Sequence, residues 1–402
     1  MDWSPADWRS MPTLQQPPWP DPEQLDAAVA SLRAAPALTT AAEIRGLSDA
    51  LSEVALGRAL VLQAGDCAES FLGSSGGRLD ALVELLQQMA GVLAESSSTT
   101  VVQLARIAGQ FAKPRTSMTE MVDAIVMPSF QGHIVNDEPP IPYLRRPDPG
   151  RMLLAYHVSA LALRGLRERA RARQTTVWTA HESLLMPYEE GSSRLDEETG
   201  RWFDCSAHFL WVGERTRQPG GGQVRFLSGI ANPVGCKLGP GATPEDVLRL
   251  CEVLDPERTP GRLTLIARMG AEQLARRLPP IVEQVRRAGF PVIWVCDPMH
   301  ANMDRAASGI RTRRLTAILR EVETFHQVHR AEATWAGGLH LEVTPEDVTE
   351  CVGGDVSEDQ VHERFWTLMD PRLNAGQALS VTRRAAALGR LPQPSQEAAG
   401  AD

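Results

Sequence analysis

Two kinds of apolar pattern alternate along the chain. Short runs rich in Val, Ile and Thr are typical of buried strands. Longer segments carry Leu, Ile and Val every three or four residues, with Arg and Glu between them, and are typical of amphipathic helices. The predicted strands are ALVLQAG (59–65), TTVVQLA (99–105), TTVWTA (175–180), HFLWVG (208–213), FLSGIANPVGCK (226–237), LTLIAR (263–268), PVIWVCD (291–297) and ATWAGGLHLE (333–342). The predicted helices cover residues 78–95, 151–173, 244–254, 271–289 and 311–332.

This alternation predicts an α/β fold. About eight strands with helices between them indicate one parallel sheet, either closed as a barrel or open and doubly wound. Open nucleotide-binding sheets usually carry a glycine-rich phosphate turn after the first strand, and the sequence contains neither GxGxxG nor GxxxxGK[ST]. We therefore predict a (β/α)8 TIM barrel with a short N-terminal arm and helical extension.

The chain divides into three predicted parts. Residues 1–56 form the arm and its helices, residues 57–390 form the barrel, and residues 391–402 form a disordered tail. Within the barrel, the stretch from about 113 to 150 is too long for an ordinary loop between a strand and a helix. Long loops of this kind build and cover the active site of barrel enzymes.

The overall composition limits the kinds of binding partner and the cellular compartment that we expect. Of the 402 residues, 43% are hydrophobic and 23% are charged, and the net charge of −9 argues against an extended nucleic-acid surface. The six cysteines include no CxxC pair, which is typical of a reducing compartment. The N-terminus lacks the features of a secretory signal, and no apolar run reaches membrane-spanning length. We expect a cytoplasmic protein with neither a nucleic-acid nor a membrane partner.

Reactive side chains follow the predicted strands at their carboxyl ends, where barrel enzymes carry their catalytic groups. These side chains are Cys67, Arg106, Glu182, Glu214 with Arg215, Lys237, Arg268, His300 and Glu342. Each has an ordinary explanation when taken alone, because an arginine after a strand is commonly a solvated loop charge and a cysteine is commonly a small buried residue. Their common position at one rim favours a functional site.

The set contains many cations and four potential metal ligands. The cations are Arg106, Lys113, Arg115, Arg215, Lys237 and Arg268. They suit phosphate and carboxylate groups, and their number suggests more than one phosphate. The potential ligands are Cys67, His300, Glu342 and Asp370, a mixed set that suits Mn²⁺, Co²⁺, Fe²⁺ or Zn²⁺ in an open catalytic site. We expect His340, two residues before Glu342, to face the other side of its strand and to be structural.

Several segments resemble one known family. LVLQAGDCAES, RIAGQFAKPR, HESLLMPYE, WVGERTRQ, NPVGCKLGP, LIARMG, WVCDPMHAN, GGLHLEVTPEDVTECVGG and DPRLNAGQALS occur in this order between about residues 59 and 380. They are similar to the signature segments of class II 3-deoxy-D-arabino-heptulosonate 7-phosphate (DAHP) synthases. The chain looks closest to the short branch that feeds secondary pathways such as phenazine formation.

The resemblance implies a role for each site residue. It implies metal ligands at Cys67, His300, Glu342 and Asp370, with Mn²⁺ as the first choice of ion. It implies phosphoenolpyruvate contacts at Arg106, Lys113, Glu214, Arg215, Lys237 and Arg268. It implies sugar-phosphate contacts at Lys113, Pro114, Arg115 and Thr116, with Arg311 at the distal end of the sugar phosphate. Lys113, Glu182 and Glu214 become the candidates for proton transfer, with the choice between the two carboxylates left open.

The chain also departs from the family pattern. Gln131 and His133 replace an Arg and an Asp of the family, and Ala301 and Met303 lie in a segment that usually reads HGNT. These changes leave the metal and phosphoenolpyruvate sets intact and affect the loop and the distal end of the sugar phosphate, on which the identity of the aldehyde substrate depends.

The implied activity is condensation of phosphoenolpyruvate with erythrose 4-phosphate by a homo-oligomeric enzyme. Two alternatives remain open. One is an aminoDAHP synthase that takes an imino sugar phosphate, and the other is a non-catalytic relative that binds phosphorylated metabolites.

Overall fold

The computed structural model describes residues 3–73 and 76–389. The strands in this part of the chain are β1 (Ala59–Gly65), β2 (Thr100–Arg106), β3 (Thr119–Val122), β4 (Ile125–Pro128), β5 (Val177–Glu182), β6 (Ser193–Asp196), β7 (Arg201–Asp204), β8 (Phe209–Val212), β9 (Val234–Leu238), β10 (Leu263–Ala267), β11 (Ile293–Cys296), β12 (Met303–Arg305), β13 (Arg311–Arg313) and β14 (Gly338–Glu342). The α-helices are α1 (Pro22–Ala34), α2 (Ala41–Ala55), α3 (Gly76–Ser97), α4 (Gly150–Ala172), α5 (Met186–Ser192), α6 (Gly222–Gly229), α7 (Pro244–Leu254), α8 (Leu274–Arg287), α9 (Leu315–Ala331) and α10 (Ala375–Leu388).

Eight parallel strands close into a barrel. Their order around it is β1, β14, β11, β10, β9, β8, β5 and β2. Helices connect successive barrel strands, so the predicted (β/α)8 fold is confirmed. The other six strands form the antiparallel hairpins β3–β4, β6–β7 and β12–β13. The β3–β4 hairpin accounts for part of the long stretch after β2.

Apolar and polar layers divide the barrel interior. Near the amino-terminal ends of the strands, Ala59, Phe209, Ile293 and other apolar side chains form one cluster. The apolar face of α2 packs against this cluster and closes that end of the barrel. A capping box between Thr40 and Glu43 fixes the start of α2. Charged side chains are therefore concentrated in the upper layer, at the carboxyl ends of the strands.

Three predicted elements were wrong in part, and one of them is the strand predicted from residue 333, which begins only at Gly338. Residues 226–237 were predicted as one strand, but their first part belongs to α6 and β9 begins only at Val234. A short apolar run does not distinguish a buried helix from a strand, and here Val224, Phe226 and Leu227 are buried from a helix. The helix predicted from residue 311 begins at Leu315, because Arg311–Arg313 form β13 and pair with β12.

The N-terminal arm lies against α5 and α6. The indole of Trp3 donates to the carbonyl of Arg225, and the indole of Trp8 donates to the carboxylate of Glu190. The proposed boundary between residues 56 and 57 remains a prediction, with β1 beginning at Ala59. The predicted tail, residues 391–402, lies outside the described residues. Among the described helices, none combines the length and the apolar character needed to cross a bilayer.

Candidate active site and metal centre

A polar cavity of about 460 Å³ opens at the carboxyl ends of the barrel strands. Its volume lies in the range of small-ligand sites. Twelve of the predicted site residues line it: Lys113, Pro114, Arg115, Thr116, Glu182, Glu214, Arg215, Lys237, Arg268, His300, Arg311 and Asp370. The other three, Cys67, Arg106 and Glu342, are almost completely buried and do not line the cavity. The structure thus brings the predicted residues together at one rim.

The four predicted metal ligands converge from four separate segments. Cys67 follows β1, His300 follows β11, Glu342 ends β14, and Asp370 precedes α10. One ligand atom each of Cys67, Glu342 and Asp370 lies within 4.8 Å of the other two. The Nε2 atom of His300 is 3.0 Å from Oε1 of Glu342.

Gly65 makes this convergence possible at β1. It has a φ of +147°, and a Cβ there would approach the carbonyl oxygen of Arg106 to 2.8 Å. A larger residue would push β1 away from β2, two residues before Cys67.

The ammonium of Lys113 lies among all four donor atoms. Its Nζ is 2.7 Å from Sγ of Cys67, 2.8 Å from Oε1 of Glu342, 2.9 Å from Oδ2 of Asp370 and 3.4 Å from Nε2 of His300. Burial alone lowers the pKa of Lys113, but Asp370, Cys67 and Glu342 together raise it above its usual value. A thiol, an imidazole and two carboxylates around one cationic position form a donor set that fits a divalent transition metal.

Asp297 orients the imidazole of His300 and was missed by the sequence analysis. Its carboxylate oxygens lie 2.8 and 3.0 Å from Nδ1 of His300, which leaves Nε2 directed at the donor cluster. Burial would raise the pKa of Asp297, but His300 and Lys237 hold it well below its usual value. Asp297 follows β11 by one residue, so the same strand-end rule could have found it.

The predicted orientation of His340 was wrong. Residues two apart on a strand face the same side, so His340 points into the barrel below Glu342, and its side chain is fully buried. Its Nε2 lies 2.7 Å from Nη1 of Arg106 and 3.1 Å from Nζ of Lys237, and its Nδ1 lies 2.8 Å from Oε1 of Gln63. Burial and Lys237 hold the pKa of His340 well below its usual value. His340 therefore supports the two cations as a neutral acceptor.

A second trio of potential ligands lies beside the donor cluster. Asp297, His300 and His340 also have ligand atoms within 4.8 Å of one another. However, Asp297 accepts from Lys237 at 2.9 Å, and both nitrogens of His340 already have partners. Only His300 of this trio remains directed at the donor cluster.

Glu342 is held between two buried arginines. Its Oε2 accepts from Arg313 at 2.8 Å, and its Oε1 accepts from Arg106 at 3.3 Å. Burial would raise the pKa of Glu342, but His300, Lys113 and Arg313 hold it well below its usual value. Arg106 also donates to the carbonyls of Asp66 and Cys67, so it fixes the loop that carries the thiol. The sequence analysis missed Arg313, which lies on β13 away from any barrel strand end.

The remaining cations line the open part of the cavity. Arg215 donates to the hydroxyl of Thr116 at 2.8 Å, and Arg311 donates to Asp370 at 2.7 Å. Arg268 donates to the carbonyl of His300, and its Nε is buried without a hydrogen-bond partner among the described residues. An anion beside Arg268 would satisfy that donor.

The two candidate carboxylates have different surroundings. Glu214 accepts from Arg217 at 2.8 and 3.1 Å and from the backbone N–H of Gly239 at 2.5 Å. Arg217 was not predicted. Glu182 has a buried Oε1 that meets no hydrogen-bond donor in the described part of the chain. Glu214 is therefore fixed by its neighbours, whereas one carboxylate oxygen of Glu182 has no hydrogen-bond donor among the described residues.

Comparisons with known proteins identify the family of the chain. The profile described as "Class-II DAHP synthetase family" matches residues 3–172 and 164–386. A phospho-2-dehydro-3-deoxyheptonate aldolase of Streptomyces coelicolor is 40% identical over 93% of this chain and 94% of its own length. A probable phospho-2-dehydro-3-deoxyheptonate aldolase of Pseudomonas fluorescens is 43% identical over 91% of this chain and 93% of its own.

A solved structure supports the fold independently. The phospho-2-dehydro-3-deoxyheptonate aldolase of Francisella tularensis superimposes with a TM-score of 0.53 over 90% of this chain and 97% of its own, at 13% identity. At that identity the likeness concerns the fold alone. The profile match and the two relatives show that the chain belongs to the class II DAHP synthase family.

Proposed function

We propose that this chain, an enzyme of the DAHP synthase family, condenses phosphoenolpyruvate with D-erythrose 4-phosphate and water to give DAHP and phosphate. The observation that carries the proposal is one cavity that joins six cations to a four-donor cluster. The six cations are Lys113, Arg115, Arg215, Lys237, Arg268 and Arg311. Two phosphorylated substrates and a metal account for both features.

We further propose that Cys67, His300, Glu342 and Asp370 hold a divalent metal. Mn²⁺ is our first choice, ahead of Co²⁺, Fe²⁺ and Zn²⁺. The support is the donor chemistry and the cationic position that Lys113 marks. Bound there, the ion supplies Lewis-acid stabilisation of negative charge on the aldehyde oxygen.

The cavity cations hold the two substrates in our proposal. Lys237 and Arg268, which both contact His300, bind the carboxylate and phosphate of phosphoenolpyruvate, together with Arg215 of the same cavity. The segment from Lys113 to Thr116 binds the phosphate of the second substrate, and Arg311, which lines the same cavity, contributes to that phosphate site. Arg106 remains a predicted contact, although its present bonds hold it below the cavity against Glu342. This arrangement brings the two reacting carbons together at a fixed approach.

Carbon 3 of phosphoenolpyruvate then attacks the aldehyde, and water adds at carbon 2 before phosphate departs. We assign the handling of that water to Glu182 rather than to Glu214. The reason is that Oε1 of Glu182 lacks a partner among the described residues, whereas Glu214 is bonded to Arg217 and Gly239. Lys113, at the donor cluster, is placed to give a proton to the new alkoxide.

Phosphate release tests the proposed function. Enzyme treated with chelator should release phosphate from phosphoenolpyruvate only when both erythrose 4-phosphate and Mn²⁺ are present. Release with an imino sugar phosphate but not with the aldehyde would favour the aminoDAHP alternative. Protein that binds Mn²⁺ but releases phosphate with neither acceptor would favour the non-catalytic alternative.

Three further predictions rest on the sequence and the family resemblance. They are a homo-oligomeric state, a cytoplasmic location and a supply role for a secondary-metabolite pathway. Mass measurement in solution, fractionation of cells and deletion of the gene would test them in turn.

A further inference from the structure

Glu321 is a buried carboxylate that the proposed mechanism does not use. It lies on α9, outside the barrel, and its side chain is fully buried. Its Oε1 accepts from the backbone N–H groups of Met269 and Gly270 at 3.0 and 2.8 Å. Its Oε2 accepts from the side-chain amide of Asn302 at 2.5 Å. A buried carboxylate is costly, and these three bonds offset part of its desolvation.

The groups bonded to Glu321 belong to two different site loops. Met269 and Gly270 directly follow Arg268 at the end of β10, and Asn302 lies two residues after His300 at the end of β11. The one carboxylate therefore holds the loop of a predicted phosphoenolpyruvate ligand and the loop of a predicted metal ligand.

The two loops also contact each other directly. Asn302 accepts from the backbone N–H of Ala271 at 3.1 Å, and Arg268 donates to the carbonyl of His300 at 2.7 Å. Gly270 has a φ of +82°, and a Cβ there would lie 3.2 Å from the carbonyl oxygen of Ala301. The hydrogen bonds form a closed ring through both loops, and Glu321 joins that ring to α9.

We infer that Glu321 is a positioning residue that fixes Arg268 and His300 relative to each other, and so couples the phosphate site to the metal site. This inference rests on the proposed function for the roles of Arg268 and His300. Groups that orient metal ligands from behind typically contribute about 10- to 100-fold to metal affinity.

Exchange of hydrogen-bonding groups tests the inference. In Glu321→Gln, the amide oxygen still accepts from Met269 and Gly270, but its NH₂ faces the NH₂ of Asn302. In Asn302→Asp, two carboxylates face each other. In the double variant, the new amide NH₂ at position 321 can donate to the new carboxylate at position 302, so the connection is restored. Glu323→Gln serves as the matched control, because Glu323 lies on the same helix and bonds the exposed Arg384.

Metal affinity is measured by competition with a fluorescent chelator, which needs no turnover. Each single variant should bind Mn²⁺ about 10- to 100-fold more weakly and show a raised KM for phosphoenolpyruvate. The double variant should recover to within a few-fold of wild type, since only the bond from Asn302 to the carbonyl of Pro298 is lost. The control should be unchanged.

Several outcomes would overturn the inference. Wild-type Mn²⁺ affinity and KM in Glu321→Gln would do so, as would a double variant no better than the single variants. A change confined to the unfolding midpoint would reduce Glu321 to a structural role. If the wild-type protein shows no turnover, the proposed function is contradicted instead. The Mn²⁺ affinities of the single, double and control variants would still show whether Glu321 positions the metal site.

Discussion

Replacing Lys113 by methionine should strengthen metal binding while it reduces turnover. Methionine has a similar length but no charge, so it removes the ammonium from the donor cluster with little change in volume. In the metal-free protein, that ammonium contacts Cys67, Glu342 and Asp370 at 2.7 to 2.9 Å. A divalent ion held by the same atoms must take over those contacts, so lysine and metal compete for one position.

The expected loss of stability depends on the cationic partners that Glu342 and Asp370 retain after the substitution. Removing one partner of a buried ion pair costs about 3–5 kcal/mol. Glu342 retains Arg313 and Asp370 retains Arg311, so we take the lower end, about 3 kcal/mol, for the metal-free protein. Burial and Glu342 raise the pKa of the Cys67 thiol to about 12, so it adds no charge at neutral pH. In the metal-loaded protein the ion supplies the charge, and the substitution should cost about 1 kcal/mol.

These two costs close a thermodynamic cycle with metal binding. A variant destabilised by about 3 kcal/mol without metal and about 1 kcal/mol with metal binds the metal more tightly by the difference of about 2 kcal/mol. That difference is about a 30-fold gain in affinity. Turnover should fall, because Lys113 is both a predicted substrate contact and the proposed proton donor.

Two measurements check this prediction. Urea unfolding in chelator and in saturating Mn²⁺ gives the two stability changes, and chelator competition gives the affinity directly. Arg215→Met is the control, because it removes a cation that bonds Thr116 and the carbonyl of Pro114, outside the donor cluster. Equal destabilisation with and without metal, or weaker Mn²⁺ binding by Lys113→Met, would refute the competition.

Three further predictions concern two site residues and one buried carboxylate outside the site. His300→Ala should abolish metal-dependent phosphate release while the circular dichroism spectrum stays unchanged, and normal release in chelator would reject His300 as a ligand. Lys237→Ala should lower kcat/KM for phosphoenolpyruvate by at least about 10², and an unchanged value would remove Lys237 from the site. Glu189 is buried beside His181 and Ser206, and burial raises its pKa to about 8. Folded protein then retains a proton that unfolded protein has released above its ordinary carboxyl pKa, so stability should fall as pH rises from about 5 to 8. Glu189→Gln should flatten that pH dependence in urea unfolding, and an equal slope in both proteins would contradict the raised pKa.

The barrel and its rim could be predicted because each depends on a local signal. A buried parallel strand such as ALVLQAG is apolar at nearly every position, and the helices between strands carry a clear stripe of apolar residues. The carboxyl ends of such strands meet at one rim whatever their order around the barrel. Cys67, Lys237 and Glu342 were therefore placed correctly near one another without any knowledge of strand order.

Residues that act through space from other elements could not be predicted in the same way. Arg313 reaches Glu342 from β13, and Glu321 reaches two loops from α9. In sequence, Glu321 is one more acid on an amphipathic helix, and only packing shows that it faces inward. The error at His340 had another origin. Side chains two residues apart on a strand face the same side, and the prediction placed His340 and Glu342 on opposite sides.

The arrangement around the donor cluster limits each acid to a single donor atom. Arg313 occupies Oε2 of Glu342, so Oε1 alone faces the cluster. Arg311 occupies Oδ1 of Asp370, so Oδ2 alone faces it. Asp297 occupies Nδ1 of His300 in the same manner. The four predicted ligands therefore present four donor atoms in all. A charged partner on the side away from the cluster holds each of Glu342, Asp370 and His300, and Arg106 holds the loop that carries Cys67. A transition-metal ion that accepts five or six ligands would retain at least one position for a substrate oxygen, which is what a catalytic centre requires and a closed structural site does not allow.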